Sequence, residues 1–318
     1  MGSFITIRLL CAAALPLLCA PAWAQSYSLT GTVVDAASGQ PVPFAIVEIP
    51  TQHIGVQATK QGTFVLEMPG ALSPADSLRV TSLGYYARPL AVPAASPCRL
   101  PLLASAVALP EAVVRPPGPP LVLGPSGDGD KTGFSQGNLR AVSSQGWQVA
   151  RRFESAPTGV IQAVRFYVKP NAQCGKASAN TPFRVRLYAA DGPVGAPGTD
   201  LLTTSVFAAA SDKGWHEVDL LSYQIQVPVA GFYVAMEWLY TNETYGCTYT
   251  FHNPTSKEKK TGYAYGQSLG GYLDLTPPVT WYLSVGYPWQ QFGNHPTIQL
   301  QDKGQNRNAA IQAIIQRD

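Results

Sequence analysis

The sequence predicts an all-β protein built as two sandwiches in series, the second larger than the first, and three observations predict it. Apolar residues recur with a two-residue period in block after block, which puts one set of side chains in a core and the other near solvent. Twenty-nine glycines and 28 prolines among 318 residues supply the turns between short strands. No apolar stripe of helical period interrupts these blocks. Charged residues make up only 13% of the chain and aromatics 10%, which excludes a coiled coil and a charged disordered chain. The length leaves room for two domains. The formal net charge of +3 gives no field to attract nucleic acid or anionic lipid.

The first 24 residues read as a signal peptide. Arg8 is their only charge, the stretch Leu9 to Ala20 is apolar, and Ala22-Trp23-Ala24 carries the small residues that a signal peptidase reads. Cleavage between Ala24 and Gln25 is expected, leaving 21 Lys+Arg against 19 Asp+Glu. The apolar run is too short, and is interrupted at Pro16, to span a bilayer as a helix. No later segment reaches the roughly 18 uninterrupted apolar residues of a membrane span. Export is therefore expected, to the periplasm, the outer-membrane surface or the exterior.

Three cysteines follow the leader: Cys98, Cys174 and Cys247. An oxidising compartment permits a disulfide, and three pairings exist. Cys174 with Cys247 is preferred because both lie in the second block. No Cys-x-x-Cys occurs, so zinc and redox motifs have no support.

The first block, residues 25–114, breaks into about seven short strands. Ala45, Val47 and Ile49 alternate against Phe44, Ile46 and Glu48, and Phe64, Leu66 and Met68 against Thr63, Val65 and Glu67. Ser38-Gly39-Gln40-Pro41 and Lys60-Gln61-Gly62 are turns, and a small antiparallel sandwich is the expected product. The series Gly31-Thr32-Val33-Val34-Asp35, Gly39-Gln40-Pro41-Val42-Pro43-Phe44-Ala45-Ile46-Val47, Gly55, Thr59, Gly62-Thr63-Phe64 and Leu83-Gly84-Tyr85 resembles the carboxypeptidase regulatory-like domain. That resemblance covers roughly a quarter of the chain and implies a transthyretin-like (prealbumin-like) sandwich. The family occurs beside metallocarboxypeptidase domains and as an N-terminal extension of outer-membrane TonB-dependent receptors. Lys60 stands where the family usually has an acid, and Leu109-Pro110-Glu111-Ala112-Val113-Val114 is similar to the segment closing that extension in the receptors. Neither plug nor barrel follows. The resemblance implies docking rather than peptidase activity, since the chain lacks the peptidase's zinc site.

Residues 115–133 read as a linker of prolines and then glycines. Within it, Gly124 and Gly129 have phosphate-loop spacing, but Asp130 separates the glycine from Lys131-Thr132 and would repel phosphate. Asp128 and Asp130 suggest a calcium loop, which no glutamate closes.

Residues 134–301 predict the larger antiparallel sandwich, of jelly-roll type. Val164, Phe166 and Val168 alternate with Arg165, Tyr167 and Lys169; Phe183, Val185 and Leu187 alternate with Arg184, Arg186 and Tyr188. One face is apolar and the other cationic and aromatic. Asp191-Gly192-Pro193 and Ala196-Pro197-Gly198-Thr199-Asp200 are turns, and Phe232, Val234, Met236 and Trp238 form another inward row. Residues 302–318 read as a polar tail with an apolar stretch from Ala309. As a helix that stretch is too short to be stable alone in water, so it frays or docks on a partner.

Candidate chemistry is sparse. Gly266-Gln267-Ser268-Leu269-Gly270 matches the nucleophile-elbow string of hydrolases, with Asp274 and His295 as triad partners in order. An elbow needs a helix after the serine, and Gly271 to Pro278 cannot be one, so a glycine-rich hairpin is expected instead. His53, His216, His252 and His295 show no ligand-pair spacing; no metal or cofactor is implied. Glu217, Asp219 and Glu237 are candidate acids for glycoside cleavage, although a lone strand glutamate is usually exposed. The main enrichment is aromatic. Tyr265, Tyr272, Trp281, Tyr287 and Trp289 lie within 245–292 among Gly, Asn and Gln. Rings beside amides and hydroxyls suit the C–H faces and hydroxyl edges of sugars, though Trp281 and Trp289 equally suit a core. The loop Lys257-Glu258-Lys259-Lys260 holds too few cations for a nucleic-acid face. The sequence thus reads as a non-enzymatic, exported cell-envelope binding or docking protein, its partner an envelope protein or polysaccharide. Glycan recognition by 245–292 and hydrolysis at Ser268 are the alternatives.

Overall fold

The computed structural model of the chain describes residues 27–68, 70, 72–105, 118–136, 145–154, 157–253, 255–294 and 304–317. The leader, with Ala24 and Gln25, and the segment around Leu109 to Val114 lie outside them. Among the described residues regular structure is all β, with short 3-10 turns, and no helix is long and apolar enough to cross a membrane.

Seven strands build the first sandwich: β1 (Tyr27–Asp35), β2 (Ile46–Ile49), β3 (Ile54–Gln57), β4 (Thr63–Met68), β5 (Ser77–Thr81), β6 (Arg88–Ala91) and β7 (Cys98–Leu102). They form two sheets, ordered β4-β1-β7 and β3-β2-β5-β6. Leu29, Val33, Val47, Ile49, Leu66, Met68, Leu78, Val80, Leu100 and Leu102 fill the space between them. In β4 the predicted alternation holds: Phe64, Leu66 and Met68 are buried while Thr63, Val65 and Glu67 are exposed. The pairing is not wholly antiparallel as expected. β1 and β7 run parallel, with Val33 opposite Leu100, because the chain returns to β1 only after crossing the opposite sheet through β5 and β6.

The second sandwich holds β8 (Leu121–Leu123), β9 (Thr132–Phe134), β10 (Gln148–Phe153), β11 (Gly159–Lys169), β12 (Phe183–Ala189), β13 (Val206–Ala208), β14 (Gly214–Asp219) and β15 (Phe232–Trp238). After a separate ribbon of β16 (Gly246–His252) and β17 (Lys259–Tyr265), it continues with β18 (Ser268–Asp274), β19 (Thr280–Leu283), β20 (Gln290–Gln291), β21 (Asn306–Ala309) and β22 (Ile311–Arg317). One sheet is ordered β13-β12-β15-β10-β19-β20. The facing sheet is ordered β21-β18-β11-β22-β8, with β14 also on β11 and β9 on β18. Phe166, Phe183, Val185, Leu187, Phe232, Val234 and Met236 pack between them.

Two boundaries differ from expectation. The tail is neither frayed nor helical: β22 lies between β11 and β8, with Ile311, Ala313 and Ile315 wholly buried. Its isoleucines suit a pleated surface, and β11 offers a ladder worth more than a short helix. The linker expected over 115–133 is likewise partly sheet. Leu121 pairs with Ile315, and Gly133 with Gly270. Proline and glycine around Leu121–Leu123 stop an edge strand from extending but do not prevent it.

The two sandwiches are packed on one another. The outward row of β2 predicted from its alternation, Phe44, Ile46 and Glu48, faces the outer surface of the six-stranded sheet, and Leu83 enters the second core. Two glycines permit the approach. A Cβ at Gly84 (φ +82°) would lie 2.2 Å from the Thr203 carbonyl oxygen, and one at Gly286 (φ +85°) 2.7 Å from the His53 carbonyl carbon. Cys174 and Cys247 form the expected disulfide (Cα–Cα 5.3 Å), tying the ribbon to the loop after β11. Cys98 is free, and burial raises its thiol pKa.

Candidate functional site

The outer face of the six-stranded sheet collects the cationic and aromatic set that strand alternation separated from the core. Register places Arg184 opposite Glu237, and Glu237 opposite Gln148; Ala235 lies between Arg186 and Ala150, and Trp281 is opposite Ala150. Small residues in the middle of this face leave room above it. Tyr188, Tyr233, Trp281 and partly buried Trp289 pack around Ala150, Ala190, Ala196 and Ala235.

A cleft of about 530 Å³ stands on this face between the sandwiches. Gln148, Arg186 and Tyr188 form its floor; Ile46, Glu48, Arg79 and Thr81 of the first sandwich form one wall. The turn at 193–198 with Asp200 forms the opposite wall, and Leu283, Val285, Tyr287, Pro288 and Trp289 close the rest. That turn is pinned by Asp191, whose carboxylate accepts hydrogen bonds from the Thr199 N–H and hydroxyl, each at 2.7 Å. These bonds lower the Asp191 pKa.

The charges of the floor are paired in depth. The Arg186 guanidinium donates to both Asp200 oxygens at 2.9 Å and to Glu237 at 3.0 Å. Burial alone would lower the pKa of Arg186, but the fields of Asp200, Tyr188 and Glu237 hold it well above its usual value. Burial raises the Asp200 pKa against the opposing field of Arg186, while 34% of its side chain stays accessible. The Tyr188 hydroxyl donates to Gln148 at 2.7 Å; burial raises its pKa.

Beneath the cleft the sandwiches share a buried polar seam. Glu237, with no accessible surface, accepts from Gln57 of the first sandwich at 2.7 Å and lies 3.4 Å from Arg184. Arg184 donates to the Phe44 carbonyl at 3.0 Å, and its guanidinium stands over the Phe44 and Phe207 rings. Glu48 accepts from Arg79 at 2.7 Å and from the Gly286 N–H at 2.8 Å. At the mouth, the His53 and Tyr287 rings stack with centroids 4.7 Å apart.

Of the five predicted aromatics, two line this cleft and a third lies behind them. Trp289 and Tyr287 line it, Trp289 packing edge-to-face on Tyr188 and Tyr287 remaining 42% exposed. Trp281 lies behind them, only 7% exposed, against Tyr233. Tyr265 and Tyr272 do not belong. Tyr265 is wholly buried, and its hydroxyl is engaged by Thr241 and Asn242. Tyr272 lies on the other sheet, where its hydroxyl donates to the Gly127 carbonyl at 2.8 Å.

Ser268 opens β18, paired with Lys169, and a strand rather than a helix follows it. The expected hairpin is also absent: the Gly266 turn is a corner, since β17 and β18 belong to different sheets. His295 lies outside the described residues. Glu217 forms an exposed pair with Arg165, while Glu237 is buried in the other sheet, against the expectation of exposure. Asp130 pairs with Lys169 and Lys213 rather than opening a cation loop. Among the described residues no group of three or more His, Cys, Asp or Glu could hold a metal ion.

Sequence reasoning separated the Arg184, Arg186 and Tyr188 face but left its partners unassigned. Glu48, Arg79, Asp200 and Gln148 come from four segments, and no local signal announces their convergence.

No family model matches the chain, and no curated protein does. Solved structures that match include the cysteine protease and lectin-like domains of Cwp84, a surface-layer-associated protein of Clostridium difficile. That match has 14% identity over 55% of this chain and 33% of that one, at a TM-score of 0.34. A clostridial Cwp84 cysteine protease after propeptide cleavage matches at 12% identity over 83% of this chain and 52% of that one, with TM-score 0.39. The chain thus spans between a third and about half the length of these proteins. Likeness at that level bears on neither mechanism nor ligand.

Proposed function

We propose that this protein is an exported, non-enzymatic binding protein of the cell envelope that recognises a glycan in the cleft between its two sandwiches. One observation carries the reading: an open cleft places the Trp289 and Tyr287 rings beside Arg79, Arg186, Glu48, Asp200 and Gln148. Sugars present apolar C–H faces to rings and hydroxyl edges to such polar groups. Export is supported by the leader-like start of the sequence and by a disulfide, which persists in oxidising compartments. The first sandwich, by its resemblance to carboxypeptidase regulatory-like domains, is a docking unit, and here it docks on its own neighbour to supply one wall.

A glycan array probed with the mature chain tests this. Binding is expected for the native protein and is lost in Trp289→Ala, whose thermal unfolding stays close to native because the ring is partly exposed. Trp281→Ala should instead destabilise the fold by about 3 kcal/mol or more. Binding that survives Trp289→Ala with both folds intact would place recognition elsewhere.

A further inference from the structure

The charge inventory of the cleft narrows the ligand class, on the premise that the cleft binds a glycan. Four ionisable side chains of formal charge line it: Glu48, Arg79, Arg186 and Asp200. Each cation is matched. Arg79 reaches Glu48 at 2.7 Å, and Arg186 holds Asp200 through both carboxylate oxygens. Below it Glu237 takes both Arg184 and Arg186, so the cleft and the layer under it together hold three cations (Arg79, Arg184, Arg186) and three anions (Glu48, Asp200, Glu237). Two cations and two anions line the cleft, so it has no net charge to focus on an ionic ligand, whereas clefts that select ions are lined by one sign. Yet the pairs are rich in hydrogen-bonding positions. Arg79 spends only its Nε on Glu48, its side chain is 52% exposed, and no further hydrogen bond occupies its terminal amino groups among the described residues. Asp200 keeps accessible carboxylate surface. A donor on one wall and an acceptor on the other, each already neutralised, suit the hydroxyls of a sugar seated between them, which donate and accept at once and bring no charge to desolvate.

We infer that the cleft selects neutral polyhydroxyl glycans, stacked on Trp289 and hydrogen-bonded between Arg79 and Asp200, and discriminates against uronic, sialic or phosphorylated sugars.

The test compares neutral oligosaccharides with uronic-acid-containing ones of matched length on the mature protein, at low and at high salt. The expected result is binding of neutral members with an affinity that salt leaves unchanged, and little or none of the acidic ones. Glu48→Gln keeps the shape and an acceptor for the Gly286 N–H but leaves Arg79 unbalanced. It should raise the acidic-to-neutral affinity ratio by about fivefold at low salt, an increase that salt removes. Asp200→Asn gives an independent second reading should Glu48→Gln disturb the fold, with the same direction expected. Native protein that prefers acidic oligosaccharides overturns the inference while leaving glycan recognition standing. Folded native protein that binds neither class overturns glycan recognition itself, and the inference with it.

Discussion

Glu237 is the residue on which the seam between the sandwiches turns. A carboxylate without accessible surface is tolerable only if its lost hydration is replaced, and here Arg184, Arg186 and Gln57 replace it. Burial lowers the Arg184 pKa, and the field of Glu237 opposes that shift. Glu237→Ala would leave two guanidinium groups facing each other with one carboxylate gone. The expected cost is about 3–5 kcal/mol in urea unfolding. Arg165→Ala, which breaks the exposed pair with Glu217, should cost no more than about 1 kcal/mol. Equal costs for the two would mean that the buried network contributes no more than a surface pair.

Among the elements, the β16–β17 ribbon and the β22 strand show what sequence patterns can carry. Among the described residues the ribbon is two strands with no third, an arrangement that is marginal by itself in water. Its root is held by Cys174–Cys247, which closes 73 residues and contributes about 4 kcal/mol in the chain-entropy model. Cys174→Ser should lower stability by about that amount, measured by denaturant unfolding under oxidising conditions; an unchanged midpoint would mean that the ribbon is held by packing alone. The pairing was readable from the sequence because only two of the three cysteines share a block. The alternations in β2, β4, β11 and β12 were readable for a related reason: a two-residue period is local, and each inward row did enter a core. β22 was not readable as a strand. Ala309 to Gln316 has no clean alternation because both of its faces are covered, and what fixes it is a partner strand about 150 residues earlier in the chain, β11. The parallel β1–β7 pair is likewise a fact of connection, which periodicity does not carry. Tyr265 and Trp289 look alike in sequence, rings among Gly and Gln. Only the fold distinguishes the one buried under Thr241 and Asn242 from the one at a cleft wall.

At the scale of the whole molecule, the two sandwiches are packed together, and the cleft exists only because they are. Neither has the cleft alone: Glu48 and Arg79 come from the first, Arg186, Asp200, Tyr287 and Trp289 from the second. The docking surface is polar as well as apolar, with Phe44 against Phe207, Gln57 on Glu237 and His53 stacked on Tyr287. Such an interface fixes relative orientation by directional bonds, which a site shared between two walls requires. Hydrogen exchange of the full mature chain, with and without the neutral oligosaccharide that gives the highest array signal, tests the proposed joint site most directly. Protection is expected together in peptides spanning 46–48 and 79–81 of the first sandwich and 193–200 and 284–289 of the second. Protection confined to one sandwich, or to the β16–β17 ribbon, would contradict a binding site built jointly by both.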